Sequence, residues 1–174
     1  SGTDSFAAAI GNNTSSYGAA GTNSIAIGRL AKTGSNTSAI AIGENALITG
    51  AGYRSIAIGN YAQAGPLYDS VALGSNTNAS QLYSFSLGHH SVSSIRGKYA
   101  YASGKFNDSG DAQGGQFILR ADTTDATATV LTTDNGSAAA TNQIVAASDT
   151  CIMFSGTLVA MQNGAQDQGG WEIK

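Results

Sequence analysis

His89 and His90 are followed directly by Ser91, so two imidazoles and a hydroxyl stand together in the sequence. A serine nucleophile requires a ring nitrogen within hydrogen-bonding distance and a third group that orients the ring. Because neighbouring residues of a strand point to opposite faces, the local sequence does not bring these side chains together. We interpret the pair as a solvated corner. The alternative is a ring of histidines from three parallel chains that binds a metal ion or an anion.

Aspartates are the second group that could do chemistry. They stand at Asp108, Asp111, Asp122, Asp125 and Asp134. Paired acids can hydrolyse glycosidic bonds, and loops rich in carboxylates can bind calcium. These aspartates lie among Gly, Ser and Thr, where Asp commonly accepts hydrogen bonds from the backbone of its own turn. We therefore expect turn-forming carboxylates, no enzymatic activity and no cofactor.

Composition limits the classes of partner. The chain has 174 residues, of which 23 are glycine, and only 11% are charged, with a net charge of −3. No basic cluster occurs, which argues against nucleic acid and anionic membranes. No apolar run approaches the roughly 20 residues of a membrane span, so membrane insertion is not expected. The N-terminus "SGTDSF" does not resemble a signal peptide, and we expect a fragment whose targeting segments lie elsewhere.

A short repeat provides the framework for these residues. Segments of alternating large and small residues end at Gly11, Gly28, Gly43, Gly59, Gly74, Gly88 and Gly104. Self-similarity at a nearly fixed period is typical of a solenoid. The period of two indicates a strand, with Ile25 and Ile27 on one face and Ala26 on the other. In the seventh copy, Ser103 occupies the position that elsewhere holds Ile or Leu.

A second strand is predicted after each glycine. Small residues recur three and five positions later, at Thr14, Ala31, Ala46, Ala62, Thr77 and Ser91, and at Ser16, Thr33, Ile48, Ala64, Ala79 and Ser93. Two strands and two turns make one flattened coil with a thin interior. The glycine marks a corner that needs a positive φ or lies close to the next coil. Because much of the apolar content is alanine, a monomer buries little apolar area, and we expect an oligomer.

The segments "SIAIG", "AIAIG" and "SVALG", with small residues three and five positions on, resemble the left-handed parallel β-roll head of the YadA-like trimeric autotransporter adhesins. The resemblance covers residues 5–110. It implies a homotrimer of solenoids of about seven coils, in which the aliphatic residues of the repeat form the central packing. The trimer or core packing residues it implies are Ile25, Ile27, Ile40, Ile42, Ile56, Ile58, Val71, Leu73, Phe85 and Leu87.

The composition changes after the repeats, and two domains are predicted, 1–110 and 111–174. We expect the second to be a small, mainly antiparallel β module that continues beyond the fragment. Strands are predicted at residues 116–121, 126–133, 143–147 and 150–161 and from Trp171 onward, with a turn at "TDNG". Cys151 is the single cysteine, and its place in "TCIMF" predicts a small buried hydrophobe.

The segment from Ser103 through "NQIVA" and "WEIK" resembles a segment of tail fibres and prophage side fibres of tailed bacteriophages. Together with the YadA-like roll, this resemblance implies a tail fibre on a virion. The alternative is the head of a bacterial trimeric adhesin on the cell surface. In both cases the predicted function is adhesion to a host surface, with a host glycan or protein and other fibre segments as partners.

Four tyrosines recur with nearly the period of the repeat. Tyr53, Tyr68, Tyr83 and Tyr99 are 15, 15 and 16 residues apart and precede the repeat glycines. We predict that the rings form one column at the turn that enters each coil. Such a column could be a structural ladder of packed rings. It could equally be a receptor surface, since tyrosines present rigid apolar area and a hydroxyl.

Overall fold

The computed structural model describes residues 2–8, 17–145, 150–162 and 167–173. All regular secondary structure in these residues is β. The strands are β1 (Phe6–Ala8), β2 (Gly18–Ala19), β3 (Ile25–Ile27), β4 (Lys32–Gly34), β5 (Ile40–Ile42), β6 (Leu47–Ile48), β7 (Ile56–Ile58), β8 (Gln63–Ala64), β9 (Val71–Ser75), β10 (Asn78–Ala79), β11 (Phe85–His89), β12 (Val92–Ser93), β13 (Tyr99–Ser103), β14 (Gly114–Gln116), β15 (Gly156–Met161) and β16 (Gln168–Ile173). They belong to two compact units, Ser1–Ile144 and Val145–Lys174.

The first thirteen strands form a parallel solenoid. The odd-numbered strands β1 to β13 stack in one sheet, here called sheet A, and the even-numbered strands β2 to β12 stack in sheet B. Each coil contributes one strand to each sheet, so there are about six coils, followed by β13. The predicted parallel solenoid is confirmed. The first predicted copy, which ends at Gly11, and the positions Thr14 and Ser16 lie outside the described residues.

The interior of the coils consists of small side chains, as the sequence predicts. In sheet A the central residue of each strand points inward, and Ala26, Ala41 and Ala57 are fully buried. The predicted small positions of sheet B from Ala31 to Ser93 are also buried, and Ile48 is the largest of the fully buried side chains. Such an interior contains little apolar volume, so apolar burial within one chain stabilises the solenoid only modestly.

The repeat glycines satisfy both reasons predicted for them. Gly28, Gly43 and Gly59 have φ values of 124°, 126° and 135°, which side chains other than that of glycine rarely adopt. A Cβ atom on Gly28 would also lie 2.6 Å from the carbonyl oxygen of Gly43 in the next coil. The corner therefore excludes any side chain, both by its backbone conformation and by the close approach of neighbouring coils.

The last coil is aligned differently from the prediction. Gly88 is paired with Ala102 and not with Gly104, and Leu87 is paired with Tyr101. Ser103, predicted to replace an aliphatic residue, is instead paired with His89. The alignment on Gly104 is therefore wrong by two residues. The physical reason is that nothing crowds this end of the solenoid: a Cβ atom on Gly104 would have no neighbour within 4 Å.

Residues 105–144 contain less regular structure than predicted. Strand β14 runs antiparallel to β13, and the remainder has one isolated bridge, Arg120 with Thr132. The strands predicted at residues 116–121 and 126–133 are therefore wrong. No strand covers residues 143–145, and residues 146–147 lie outside the described part. The "TDNG" turn is confirmed, since Asn135 has a φ of 59°.

The unit Val145–Lys174 contains one antiparallel hairpin, in which Leu158 is paired with Trp171. This two-stranded sheet confirms the predicted antiparallel structure. The strand predicted at residues 150–161 begins only at Gly156, and Cys151 is exposed rather than buried. The prediction for Cys151 fails because the hairpin begins five residues after it, so the cysteine has no place in a sheet.

Candidate interaction surfaces

An apolar ridge covers the outer face of sheet A. It is formed by the outward side chains of β3 to β13, which are Ile25, Ile27, Ile40, Ile42, Ile56, Ile58, Val71, Leu73, Phe85, Leu87, Tyr99 and Tyr101. The strands pair in register, so these side chains form two columns that cross the coils. The alternation that fills the interior with alanine thus leaves the larger side chains outside.

The ridge remains accessible in the single chain. Its aliphatic members are half-buried, with Ile58 38% exposed, and Phe85 stacks on Tyr99 with ring centroids 5.4 Å apart. The outer face of sheet B differs, since Lys32, Gln63 and Asn78 occupy three of its positions. A continuous apolar patch on one face of a small domain is typical of a protein interface.

The turn that enters sheet A brings two of the four predicted tyrosines together. The ring centroids of Tyr53 and Tyr68 are 5.4 Å apart, with an interplanar angle of 51°. Beneath them, the buried hydroxyls of Ser55 and Ser70 are 3.1 Å apart, and Ser70 Oγ accepts a hydrogen bond from Gly65 N–H. These bonds connect adjacent coils and hold the turn in place.

The other two tyrosines do not join this column, so the predicted four-ring stack is wrong. Tyr83 has a φ of 57°, like Arg54 and Asp69, and thus follows the column position by one residue. Tyr99 lies in β13 and belongs to the apolar ridge. The reason is coil length: Ile56 and Val71 pair 15 residues apart, but Val71 and Phe85 pair 14 apart. A constant spacing of 15 therefore drifts out of register.

Charged side chains surround the tyrosines. Arg54 donates two hydrogen bonds to Asp69, from Nε to Oδ1 and from Nη2 to Oδ2, each 2.8 Å long. This bridge raises the pKa of Arg54 and, through the hydrogen bonds, lowers that of Asp69. The Arg54 guanidinium lies 5.9 Å from the Tyr68 ring centroid, and Arg96 lies 5.5 Å from that of Tyr83.

We call this group the tyrosine–arginine patch. Its members are Tyr53, Arg54, Tyr68, Asp69, Tyr83 and Arg96. The sequence interpretation missed the charged members, although a signal for the ion pair was present. Arg54 and Asp69 are one coil apart, as are Arg29 and Glu44, which form a second salt bridge with a length of 2.5 Å. Opposite charges separated by one repeat are thus a usable sequence signal in a parallel solenoid.

The histidine pair forms a second polar group. The ring centroids of His89 and His90 are 4.2 Å apart because His90 adopts a left-handed turn, with a φ of 61°. The expectation that their side chains point apart is therefore wrong. His90 Nδ1 lies 2.9 Å from Ser109 Oγ, whereas Ser91 is buried and bonded to Ser86. Desolvation, followed by the proximity of His89 and Lys105, lowers the pKa of His90.

The aspartates do not complete a catalytic site at this pair. Asp111 accepts hydrogen bonds from the backbone N–H groups of Phe106, Asn107 and Asp108, which lower its pKa. Asp125 accepts one from Thr127 N–H. The interpretation of these two carboxylates as turn formers is confirmed. Within the described ranges, no group of three or more His, Cys, Asp or Glu side chains could hold a metal ion.

Asp134 and Asp122 stabilise loops through side-chain amides. Asp134 Oδ1 accepts a hydrogen bond from Asn142 Nδ2 at 2.9 Å, and Asp122 Oδ2 accepts one from Asn135 Nδ2 at 2.8 Å. Asp134 Oδ2 also lies 3.1 Å from Arg96 Nη1, which connects this loop to the tyrosine–arginine patch. The geometry thus provides a connected surface on the solenoid.

The comparisons with known proteins identify the repeat. Residues 68–91 match the YadA head domain repeat, in two copies. No curated protein and no solved structure matches the chain. Among the residues that the structure describes, no helix is long and apolar enough to cross a membrane. The matched coils run from Tyr68 through β9, β10 and β11 to Ser91, so the solenoid is YadA-like in both its repeat and its fold.

Proposed function

We propose that this chain is an adhesive, non-catalytic segment of a homotrimeric surface protein. The apolar ridge packs three copies together, and the turns between the sheets face the host surface. The observation that carries this proposal is the placement of the aliphatic side chains, which lie outside a coil filled with alanine and serine. The YadA head repeat at residues 68–91 supports the same assignment.

The energetics favour association of the ridge. Burial of an aliphatic or aromatic side chain contributes about 1.5–3 kcal/mol, and ten or more such side chains are aligned on one face. The interior of the coil contributes much less per residue because it consists of small side chains. Folding of the solenoid is therefore coupled to assembly, as in obligate oligomers.

Two carriers fit this role. The bacteriophage tail fibre is the narrower proposal, and it rests on the resemblance of the segment from Ser103 onward to tail fibre segments. The bacterial adhesin head is the second candidate, and the match at residues 68–91 favours it. Binding of the labelled trimer to bacterial cells would support the tail fibre. Binding to animal cells or matrix protein would support the adhesin.

Sedimentation equilibrium tests the assembly. We expect the full chain to be a trimer and the double variant Ile58→Ser/Leu73→Ser to dissociate and lose its cooperative melting. Leu47→Ser is the matched control, because Leu47 is an outward, half-buried aliphatic residue of sheet B. A folded, soluble monomer of the unmodified chain at micromolar concentration would contradict the proposal, as would equal effects of the variants in the two sheets.

A further inference from the structure

The turn that enters sheet A changes its residue types along the solenoid. The two coils before the tyrosine–arginine patch carry small polar residues in this turn, among them Asn23 and Ser38. Their φ values of 54° and 56° equal those of Arg54 and Asp69 to within a few degrees. The backbone therefore does not require aromatic or charged side chains here. Arg54 and Tyr83 occupy a conformation uncommon for long side chains, an outlier that points to a function of the patch.

The charges of the patch are balanced. Arg54 is paired with Asp69, and Arg96 is paired with Asp134. Phosphate, sulfate and sialate ligands are normally held by guanidinium groups that are available for charged hydrogen bonds. In this patch those groups are already occupied by carboxylates. The arrangement thus favours a neutral ligand over an acidic one.

The tyrosines supply an apolar platform with polar edges. Tyr53 and Tyr68 are 36% and 43% exposed, and their tilted rings form a shallow surface across two coils. Rigid aromatic side chains provide contact area at low entropic cost, and pyranose rings present an apolar C–H face that packs on them. The Nη1 group of Arg54 takes no part in the bridge to Asp69 and can donate to a hydroxyl.

We propose that the tyrosine–arginine patch binds a neutral glycan chain, with sugar rings on Tyr53 and Tyr68 and hydroxyls bonded to Arg54 and Asp69. This inference rests on the proposed adhesive function and identifies the class of receptor. The parallel stacking repeats the turn once per coil, so successive sugars can contact successive coils. Tyr83 and Arg96 extend the same surface toward the end of the solenoid.

Glycan binding by the full-length chain tests the inference. The immobilised probes are cellohexaose, maltohexaose, chitohexaose and linear mannan, with heparin and polysialic acid as acidic counterparts. We expect binding to at least one neutral probe that is insensitive to salt. The double variant Tyr53→Ala/Tyr68→Ala should bind at least about tenfold more weakly. Tyr61→Ala is the matched control, because Tyr61 is exposed in the opposite turn and should leave binding unchanged.

Several outcomes would overturn the inference. They are binding to the acidic probes alone, equal losses in the patch and Tyr61 variants, and dissociation of the trimer by the patch variant, which would assign the patch to packing between chains. A trimer that adheres to host cells but binds no neutral probe would also overturn it, while leaving the proposed function intact. A monomer that adheres to no host cell would overturn the proposed function itself.

Discussion

The side-chain amide of Gln113 pairs with the backbone of Val92 in the way that a neighbouring strand would. Val92 N–H donates to Gln113 Oε1 at 2.8 Å, and Gln113 Nε2 donates to Val92 O at 2.9 Å. Lys98 Nζ donates to the same carbonyl at 3.2 Å. Val92 begins β12, the last strand of sheet B, whose outer edge would otherwise offer unpaired groups to another chain. The amide therefore closes this edge of the sheet.

Gln113→Ala should open the edge of β12. We expect a loss of about 1–3 kcal/mol in the free energy of unfolding, because a partly buried N–H group is left without its acceptor. Hydrogen exchange at the Val92 amide should accelerate, and thermal melting reports the stability. Gln63→Ala, at an outward position of β8, is the control. Unchanged exchange at Val92 would show that the amide does not close the sheet.

Gly59→Ala should be strongly destabilising, whereas Gly104→Ala should be nearly neutral. Gly59 has a φ of 135°, and an added Cβ atom would clash with the carbonyl oxygen of Gly74. Backbone strain and overpacking together predict a loss of about 2–5 kcal/mol. Gly104 has open space around its Cα atom. Denaturant unfolding of both variants measures the difference, and similar losses would mean that Gly104 is a true repeat glycine.

Asn142→Ala should release the loop of residues 134–142 without unfolding the sheets. The buried Asn142 side chain donates to Asp134 Oδ1 and Ser137 O and accepts from Ala139 N–H. Loss of these bonds should cost about 1–3 kcal/mol. Limited proteolysis should then cleave this loop first. Ser137→Ala retains the backbone carbonyl that accepts from Asn142 and should resist cleavage like the unmodified chain.

The turn around Asp111 should open at acidic pH. Backbone hydrogen bonds from Asn107 and Phe106 lower the pKa of Asp111 from its ordinary value of 3.8. A carboxyl group with a depressed pKa in the folded state stabilises that state above its unfolded pKa. This contribution is lost as the pH falls below about 4, through the folded pKa. Amide chemical shifts of Asn107 and Asp108 should report the titration. Asp111→Asn should abolish the transition, and its persistence in that variant would assign it to another group.

The solenoid could be predicted from the sequence because a period of two directly determines which side chains enter the coil. The alternation of Ile25, Ala26 and Ile27 defines an inner and an outer face without knowledge of distant contacts. The corner at Gly59 is equally local, since its conformation and its crowding both exclude a side chain. For these features, the sequence pattern and the physical cause are the same.

The remaining features depend on contacts that no local pattern encodes. Shortening one coil from 15 to 14 residues moves Tyr83 out of the tyrosine column and displaces the alignment of Gly104. After the solenoid, individual contacts such as that between Arg96 and Asp134, 38 residues apart, replace the periodic ladder. The exposure of Cys151 follows from where the hairpin begins, which a short apolar segment does not specify.

The stacking of coils has a mechanical consequence. Hydrogen bonds such as that from Ile25 N–H to Ala39 O join neighbouring coils, so a force along the solenoid axis stretches these bonds directly. Coils would detach one after another from an end under tension. Each coil of about 15 residues rises about 4.8 Å when stacked but spans about 50 Å when extended. Loss of one coil therefore lengthens the tether about tenfold over that segment, and the solenoid absorbs the work of a pulling load in small steps.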